Sequence, residues 1–578
     1  MELDLRFNKK ISPDYAELFD DISFSLRERF NDFIDNLSRP LIDDIDWWAQ
    51  NPASRNTYTS PLFHYFCSVS FFIEILKIQR HETSDILVDS KELKIIFDNL
   101  LKRNNRSDIN IIYRPGRSLE RKRLFKKLFY FQYFTLKRYI QYLLIRLFDD
   151  FSKDSLQANP ITIIDTFLSL DFINEDRWYG SFWENVEERL KSRIFFVPTI
   201  IDTPLKEMKT ICSNSRNDGR NIIFKDHFLA MDDFIFSYRH KFRIKRKKIK
   251  EILVNNIDYS GLVREDIEHN RDIQTLVESL LTYRFISKLK KQGVNLRLAI
   301  DWFEGHSLDK LWNLSLKHHF PDVKRIGYET YRSFPYYLST FPIQIERDAG
   351  TIPDVFAVQG SNCIDCVREF LPNQDVIVIP AFKYSHVWNH DIQLKKHDKK
   401  VLVTLPISLD VSERILKLLI DACKQDKRIN QSDIEFIIKR HPKNTTSQIL
   451  DYCKLEIPSK FSFTEEKSFP ALLEKSTVLV TEASSTCLEA MAYGISVIII
   501  ENSSGLTYDP IPKEANKKLF RRSRTKDSLS KSLFDFLNYD EREKKLQRQL
   551  GLDFKNNFFE PVSQNGIYRF LDIGESEK

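Results

Sequence analysis

Three observations predict an α/β protein with two doubly wound parallel-sheet domains facing one cleft, the first carrying a helical insertion. Short β-branched runs alternate with amphipathic stretches of helical length, most clearly after residue 400. These runs are apolar throughout, as strands buried on both faces of a parallel sheet are. The chain has 578 residues, 42% hydrophobic and 29% charged, enough for more than one core and too apolar to be disordered.

The first domain is expected over residues 1–390, with strands near 85–88, 109–113, 161–165, 194–197, 221–224, 296–300, 325–328, 355–358 and 376–379. Residues 119–148, the core of an insertion at about 117–150, read as a long helix or hairpin that is aromatic and basic together. Two readings stand: a membrane-surface or partner-docking helix, or a core helix with a solvated basic face. Residues 241–250 (KFRIKRKKIK) hold seven basic residues in ten, as an exposed helix face or a dock for anionic lipid or glycan. The charged, His- and Lys-rich residues 381–400 are the expected linker. The second domain, 391–578, is expected to place strands at 401–404, 434–438, 478–481 and 496–500. Its helices are expected at 413–424, 446–454, 468–475 and 485–493. Paired domains of this kind bind ligands in the cleft beyond the C-terminal strand ends.

Composition narrows the function. The net charge of +6 is small for this length, which argues against a general nucleic-acid binder. Seven scattered cysteines suit a reducing compartment. The CxxC of Cys363 and Cys366 lacks a second ligand pair, so no metal and no bound cofactor is expected. The N-terminus shows no secretory leader, and no run of ~18 apolar residues is present. The expected location is cytoplasmic, with peripheral contact at the inner face of the cytoplasmic membrane as an option. Glycines number only 14, so a phosphate site must rely on something other than a glycine-rich loop.

Two motifs in the second domain offer such a site. The 478–481 strand leads to Ser484, Ser485 and Thr486 and then a helix ending at Gly494. Hydroxyls and free N–H groups at a helix start cap the helix and also suit an anion. The 434–438 strand is followed by His441, Pro442 and Lys443, with the imidazole at the same sheet edge, and Thr404 ends the neighbouring strand. In the first domain, the 296–300 strand leads to Asp301, Glu304 and His306, candidates for removing a hydroxyl proton.

The order strand–His-Pro, helix, strand–Ser-Ser–helix–Gly resembles the nucleotide-binding half of GT-B glycosyltransferases. The likeness is to bacterial sialyltransferases and Kdo transferases that use CMP-sugars. Teichoic-acid glycerophosphotransferases share a similar motif pair. The resemblance implies two Rossmann-like domains, with His441 and Pro442 contacting the cytidine nucleotide and Ser484 and Ser485 holding the donor phosphate. Lys443, Thr404 and Thr486 complete that set. Sialyltransferases carry a D/E-D/E-G motif that supplies the acceptor base; here Phe303-Glu304-Gly305 keeps only the second acidic position, and Asp301 lies three residues earlier. Further pieces, among them 301–304, 325–328, 335–338, 352–354, 380–382, 386–388 and 176–180, resemble a bacterial surface-carbohydrate biosynthesis family. Arg177 and Lys310 are candidates to pair with a sugar carboxylate or the acceptor.

The expected activity is transfer of an ulosonic sugar (Kdo, or a sialic, legionaminic or pseudaminic acid) from a CMP-sugar donor to a glycan or lipid-linked glycan. Its setting would be surface-polysaccharide assembly, of capsule or lipopolysaccharide, without metal. The alternatives are a CDP-polyol phosphotransferase, a UDP- or GDP-sugar enzyme of the same fold, and a non-catalytic scaffold of the glycan machinery. Asp44-Ile-Asp46 is a DxD, the metal signature of the other glycosyltransferase fold, but it lies in a helical-looking stretch and is discounted.

Overall fold

A computed structural model describes residues 2–78, 84–115, 120–151, 156, 160–168, 176–200, 203–270, 272–330, 332–389, 399–482, 484–512 and 515–574. Strands β1 (Glu2–Asp4), β2 (Ser84–Val88) and β3 (Ile109–Tyr113) form a three-stranded parallel sheet of their own. The expectation that residues 85–88 and 109–113 belong to the large first-domain sheet is thereby corrected. The physical reason is the helix Glu120–Phe148, which carries the chain away from β3 before the large sheet begins. Ile86 and Val88 instead bury against Phe71, Leu93 and Ile96 of the flanking helices Leu62–Ile78 and Lys91–Arg103.

The large first-domain sheet starts with β4 (Ile161–Leu168) and β5 (Ile194–Ile200). A two-stranded hairpin, β6 (Leu253–Val254) and β7 (Ile257–Asp258), intervenes. The sheet continues with β8 (Leu296–Trp302), β9 (Lys324–Glu329), β10 (Val355–Val358) and β11 (Asp375–Val378). Its order is β11-β10-β9-β8-β4-β5, parallel throughout. Residues 221–224 do not form the expected strand. Ile222 makes a single bridge to Phe196 before the turn Lys225–His227 pulls the chain inward, where the Lys225 ammonium donates to Thr199 and Thr282.

The second domain holds β12 (Lys400–Thr404), β13 (Glu435–Lys439), β14 (Phe461–Phe463), β15 (Val478–Thr481), β16 (Ser496–Ile500) and β17 (Phe520–Ser523). They run parallel in the order β14-β13-β12-β15-β16-β17. Both large sheets are therefore doubly wound. Strand order reverses between β4 and β8 in one and between β12 and β15 in the other, and such reversals open a crevice at the C-terminal edge. Strands β14 and β17 escape a reading of the sequence because they are short edge strands carrying polar residues, without the continuous apolar run of a buried strand.

The end of the chain returns to the first domain. After the helix Glu541–Phe558, the Glu560 N–H donates to Gln359 O (2.7 Å) and Glu560 O accepts from the Ala381 N–H (2.9 Å). The helix Gln564–Phe570 then buries Ile567 and Phe570 among Tyr179, Phe182, Tyr328 and Phe382. Residues Phe382–Trp388, the front of the expected linker, form a 3₁₀ segment with Phe382, Tyr384 and Val387 buried, and the Trp388 indole donates to Phe559 O at 3.1 Å. Of that linker, residues 390–398 lie outside the described residues. Among the described residues no helix is long and apolar enough to cross a membrane.

Phe570 is fully buried in the first domain's core. Phe570→Ala is expected to cost ~3–5 kcal/mol, by lost transfer energy and the cavity left behind. Denaturant unfolding followed by tryptophan fluorescence would measure it, and a loss below ~1 kcal/mol would show that the returning helix is not part of this core.

Candidate active site

The first-domain side is built at the end of β8. Trp302 is its last residue, and the chain then turns through Glu304, Gly305 and His306 into the helix Ser307–His319. Gly305 has φ +70°, and a Cβ there would meet Ser339 O at 1.8 Å, so this turn accepts only glycine. The Glu304 carboxylate is held from both sides: Oε1 accepts from the Trp302 indole N–H (3.1 Å), and Oε2 lies 2.9 Å from His306 Nε2. Both side chains keep about a quarter of their surface open to solvent.

His306 is enclosed by Tyr337, whose hydroxyl is 2.7 Å from Nε2, and by the Asn56 side-chain amide, 2.7 Å from Nδ1. The Tyr58 N–H donates to Asn56 Oδ1, which turns the amide nitrogen toward Nδ1 and opposes a second ring proton there. Burial opposes it as well, while the hydrogen bond and charge of Glu304 favour it and push the pKa up to about 9. Burial is the largest single influence, and the Glu304 hydrogen bond and charge, with the charges of Asp309 and Asp272, together outweigh it. The Tyr58 ring, exposed to the cleft, stacks on Tyr508 of the second domain at 4.7 Å and meets Tyr337 edge-on at 4.8 Å.

Two sequence candidates do not reach this cleft. Asp301 is buried beneath the helix Ser307–His319, where Asn313 donates to its Oδ2 at 2.9 Å. Burial, with Asp309 and Asp165 nearby, raises its pKa well above the usual carboxylate value and disfavours the charged form, and its buried position keeps it from an acceptor hydroxyl. Lys310 is fully buried, and its ammonium donates to Glu346 Oε1 at 2.5 Å. Arg55 Nη2 donates to both Glu346 oxygens at 2.8 Å, and Arg55 further donates to Asn31 Oδ1 (2.9 Å). This ion triad consumes Lys310, which cannot meet a substrate carboxylate. The DxD is likewise structural. Asp44 caps the helix Ile45–Trp48 and pairs with Lys247, while Asp46 is gripped by His240 and Arg243.

The second-domain side is assembled at the reversal between β12 and β15, where Thr404 Oγ1 donates to Thr481 Oγ1 at 2.7 Å. The helix after β15 spans only Thr486–Ala492, shorter than expected, so its dipole contribution is small. The Ser484 hydroxyl lies 2.8 Å from Thr486 Oγ1 and accepts from the Thr486 N–H, and Ser485 is half-buried with no capping bond. Beyond β13, His441 Nδ1 accepts from the Lys443 N–H at 3.2 Å. Burial, with the charges of Arg177 and Lys443, lowers the His441 pKa, which leaves a neutral ring with its proton on Nε2 as a donor. Pro442 and Lys443 are exposed.

The two sides meet through residues 383–386, which sequence reasoning places in a linker. The Tyr384 hydroxyl donates to Ser485 Oγ at 3.3 Å, and His386 Nε2 lies 2.9 Å from Glu489 Oε2. The Lys383 ammonium sits over the Trp302 and Tyr384 rings at 5.6 and 5.4 Å. Burial and then the nearby Arg177 hold its pKa down to about 8, against the opposing pull of Glu489 and Glu304. Arg177, exposed and resting on Trp178 at 5.3 Å, thus acts on both Lys383 and His441. Gly180 (φ +46°) permits this: a Cβ there would meet Phe382 O at 2.5 Å. The sequence puts residues 382–386 in a linker; Phe382 and His386 fall in the family-like pieces 380–382 and 386–388, but nothing in the sequence gives Lys383 or Tyr384 a role.

Further along the first sheet's C-terminal edge, Glu329 ends β9, Thr330 and Ser333 come next in the chain, and Gln359 comes directly after β10. All four are buried and carry polar atoms with no hydrogen-bond partner among the described residues. Burial alone pushes Glu329 well above the carboxylate range. Such groups are rare in folded proteins and mark places where water or a hydroxylated ligand completes the structure. Cys363 and Cys366 are buried thiols, with Cys366 pushed up to about 12 by burial, so neither is a ready nucleophile.

No protein-family model matches the chain, and no curated protein sequence does. Among solved structures, the S. aureus MnaA–UDP co-structure shows 13% identity, covers 72% of this chain and 95% of its own, and has a TM-score of 0.40. Methanocaldococcus jannaschii UDP-GlcNAc 2-epimerase in complex with UDP-GlcNAc and UDP shows 12% identity over 72% and 99%, with a TM-score of 0.40. The α,α-trehalose 6-phosphate synthase of Burkholderia multivorans shows 10% over 72% and 96%, also at 0.40. At these values the likenesses carry no argument about the chemistry of this chain.

Two measurements check the site's construction. Glu346→Gln leaves the Arg55 and Lys310 cations together in the core without their shared carboxylate and is expected to cost ~3–5 kcal/mol, whereas Lys310→Met leaves a balanced Arg55–Glu346 pair and costs less. Equal stability of Glu346→Gln and wild type would dismiss the triad. For His306, a folded pKa near 9 above the unfolded ~6.5 means that its pairing stabilises fully below pH ~6.5 and is lost as pH rises through 9. The melting-temperature gap between wild type and His306→Gln should therefore be widest below pH ~6.5 and close by about pH 9–10.

Proposed function

We propose that this protein is a GT-B-type glycosyltransferase that moves a sugar from a nucleotide donor to an acceptor hydroxyl. The observation that carries the reading is the meeting, in one cleft, of a held carboxylate and a set of anion-binding groups from both domains. Glu304 stands on one side; Lys383, Arg177, the His441 Nε2–H and the Ser484 and Ser485 hydroxyls stand on the other.

These parts divide the chemistry between them. Glu304 takes the proton of the acceptor hydroxyl as its oxygen bonds to the sugar's anomeric carbon. The bond between that carbon and the donor phosphate oxygen breaks, and the nucleotide leaves with the electron pair. Lys383, Arg177, His441 and the serine hydroxyls stabilise the developing phosphate charge. His306 is a positioning residue, since both its nitrogens are engaged and it acts through Glu304.

For the donor, we infer a CMP-sugar of the ulosonic type, on the resemblance of the His441-Pro442 and Ser484-Ser485 motifs. One compact anion site suits one phosphate, and Arg177 beside it is our candidate for the sugar carboxylate. The acceptor is a glycan or lipid-linked glycan of surface-polysaccharide assembly.

Thermal shift with CMP, CDP, UDP and GDP tests this reading. A ligand at a hundredfold its Kd stabilises the fold by ~2.7 kcal/mol. CMP is expected to raise the melting temperature most; a shift with UDP or GDP and none with CMP would replace the donor, and no shift at all would point to a scaffold. Glu304→Ala should keep CMP binding and lose ~10²–10⁴ in transfer rate. Because Lys383 titrates near 8, nucleotide affinity should weaken by up to ~tenfold per pH unit above that value, and Lys383→Met should flatten the profile. Calorimetric titration between pH 7 and 10 would show it.

A further inference from the structure

We propose that the helices Glu120–Phe148 and Met231–Lys245 form a docking surface for an anionic lipid membrane. The helix Glu120–Phe148 shows Phe129, Tyr133, Leu136, Leu143 and Leu147 as exposed apolar side chains, with half-buried Ile140 between them. Their spacing of four, three, four, three and four residues draws one continuous stripe along the helix. Met231, Ile235 and Phe242 are exposed on the helix Met231–Lys245 at matching intervals, with Tyr238 bridging the gap. The two helices lie side by side, with Tyr139 on Phe234 at 5.2 Å and Phe131 on Tyr238 at 6.3 Å. With Tyr130, nine of the seventeen exposed large hydrophobic residues among those described lie on this pair, which makes a patch rather than scatter.

Charge identifies what covers it. Residues 120–148 and 241–250 together carry fifteen basic residues and one acidic residue, Glu120, a net +14, whereas the whole chain is +6. The rest of the protein therefore sums to −8, so the positive charge is concentrated in these two segments of the chain, and the two acidic residues of the second helix, Asp232 and Asp233, pair with Arg284. Three of these cations serve the fold: Arg138 pairs with Asp226 and Glu278, Arg243 with Asp46, and Lys247 with Asp44. Lys245, Arg246, Lys248 and Lys250 stand exposed at the end of the second helix. Apolar and aromatic side chains flanked by Lys and Arg are the pattern that seats a helix in the headgroup region of anionic bilayers. A second copy of this chain fits less well. The stripe has heptad spacing, but its flanks, Lys137 and Arg146, are of one sign and would face their own copies. The surface shares no residue with the Glu304 cleft, so the inference stands independently of the transfer reaction.

Flotation of the full chain with vesicles of about 30% phosphatidylglycerol in phosphatidylcholine, against phosphatidylcholine alone, tests the proposal. Binding is expected only to the anionic vesicles, falling at least ~tenfold between about 50 and 500 mM salt. The variants Leu136→Glu/Leu143→Glu and Lys245→Glu/Arg246→Glu/Lys248→Glu alter exposed side chains, so each should unfold at the wild-type temperature and each should lose binding at least ~tenfold. No binding to anionic vesicles overturns the proposal. Retained binding in the leucine variant overturns it too, since a mere polyanion site would then explain the data. A dimer in sedimentation velocity that dissociates in the leucine variant would assign the stripe to a second copy instead.

Discussion

The arrangement of the whole site depends on one backbone contact, in which Glu560 donates to Gln359 and accepts from the Ala381 N–H. Glu560 belongs to the last stretch of chain after the second domain, and its partners close the first domain's sheet edge. Two hydrogen bonds are modest in energy, each worth ~1 kcal/mol net. Their effect is geometric, because they fix where residues 382–388 leave the first domain. From that point Lys383 lies over Trp302, Tyr384 reaches Ser485, and His386 reaches Glu489. The returning helix supports the contact from below, with Phe570 packed on Phe182 and Phe382.

Parallel strands explain why so few residues suffice beyond that. In each large sheet all six strands point the same way, so every connection leaving a strand emerges at one edge. Glu304 after β8, Glu329 and Thr330 at the end of β9, and Gln359 after β10 share an edge for this reason, although they are far apart along the chain. Thr404, His441 and Ser484 share the second sheet's edge by the same rule. The reversals at β4/β8 and β12/β15 then open each edge, and the facing of two such edges gives a site with a base on one wall and anion donors on the other.

Charge is managed differently in the core and in the cleft. Arg55, Glu346 and Lys310 are paired and closed to solvent, so they hold the helices Asn51–Ser54 and Ser307–His319 to the helix Gln344–Ala349 and contribute nothing to ligand binding. Burial raises Asp301 and Asp165, the latter to about 8, and so disfavours their charged forms. In the cleft the balance reverses: Glu304, Lys383 and Arg177 remain partly wet and keep interactions to offer. Residue type is the same in both places. Burial decides the role, which is why Lys310 and Asp301 read as candidates from the sequence and do not act as such in the fold.

The doubly wound fold, the hydroxyl cluster after β15 and the histidine after β13 were legible because they are local: a buried strand is a continuous apolar run, and a motif stands after it at a fixed offset. The basic-aromatic character of residues 120–148 was legible for the same reason. What the sequence left undecided needed contacts between distant residues. The three-stranded sheet of β1, β2 and β3, the return of the last helix to the first core, and the partnership of Glu304 with His306, Tyr337 and Asn56 have no periodic signature. Lys383 shows the division most clearly. Its neighbours in sequence suggest a charged linker, and only the Gly180 turn, the Glu560 contact and the Trp302 ring together make it a desolvated cation at the meeting of two sheets. Local pattern determines which elements form. The desolvation that sets a side chain's chemistry depends on what packs over it, and that is decided by tertiary structure alone.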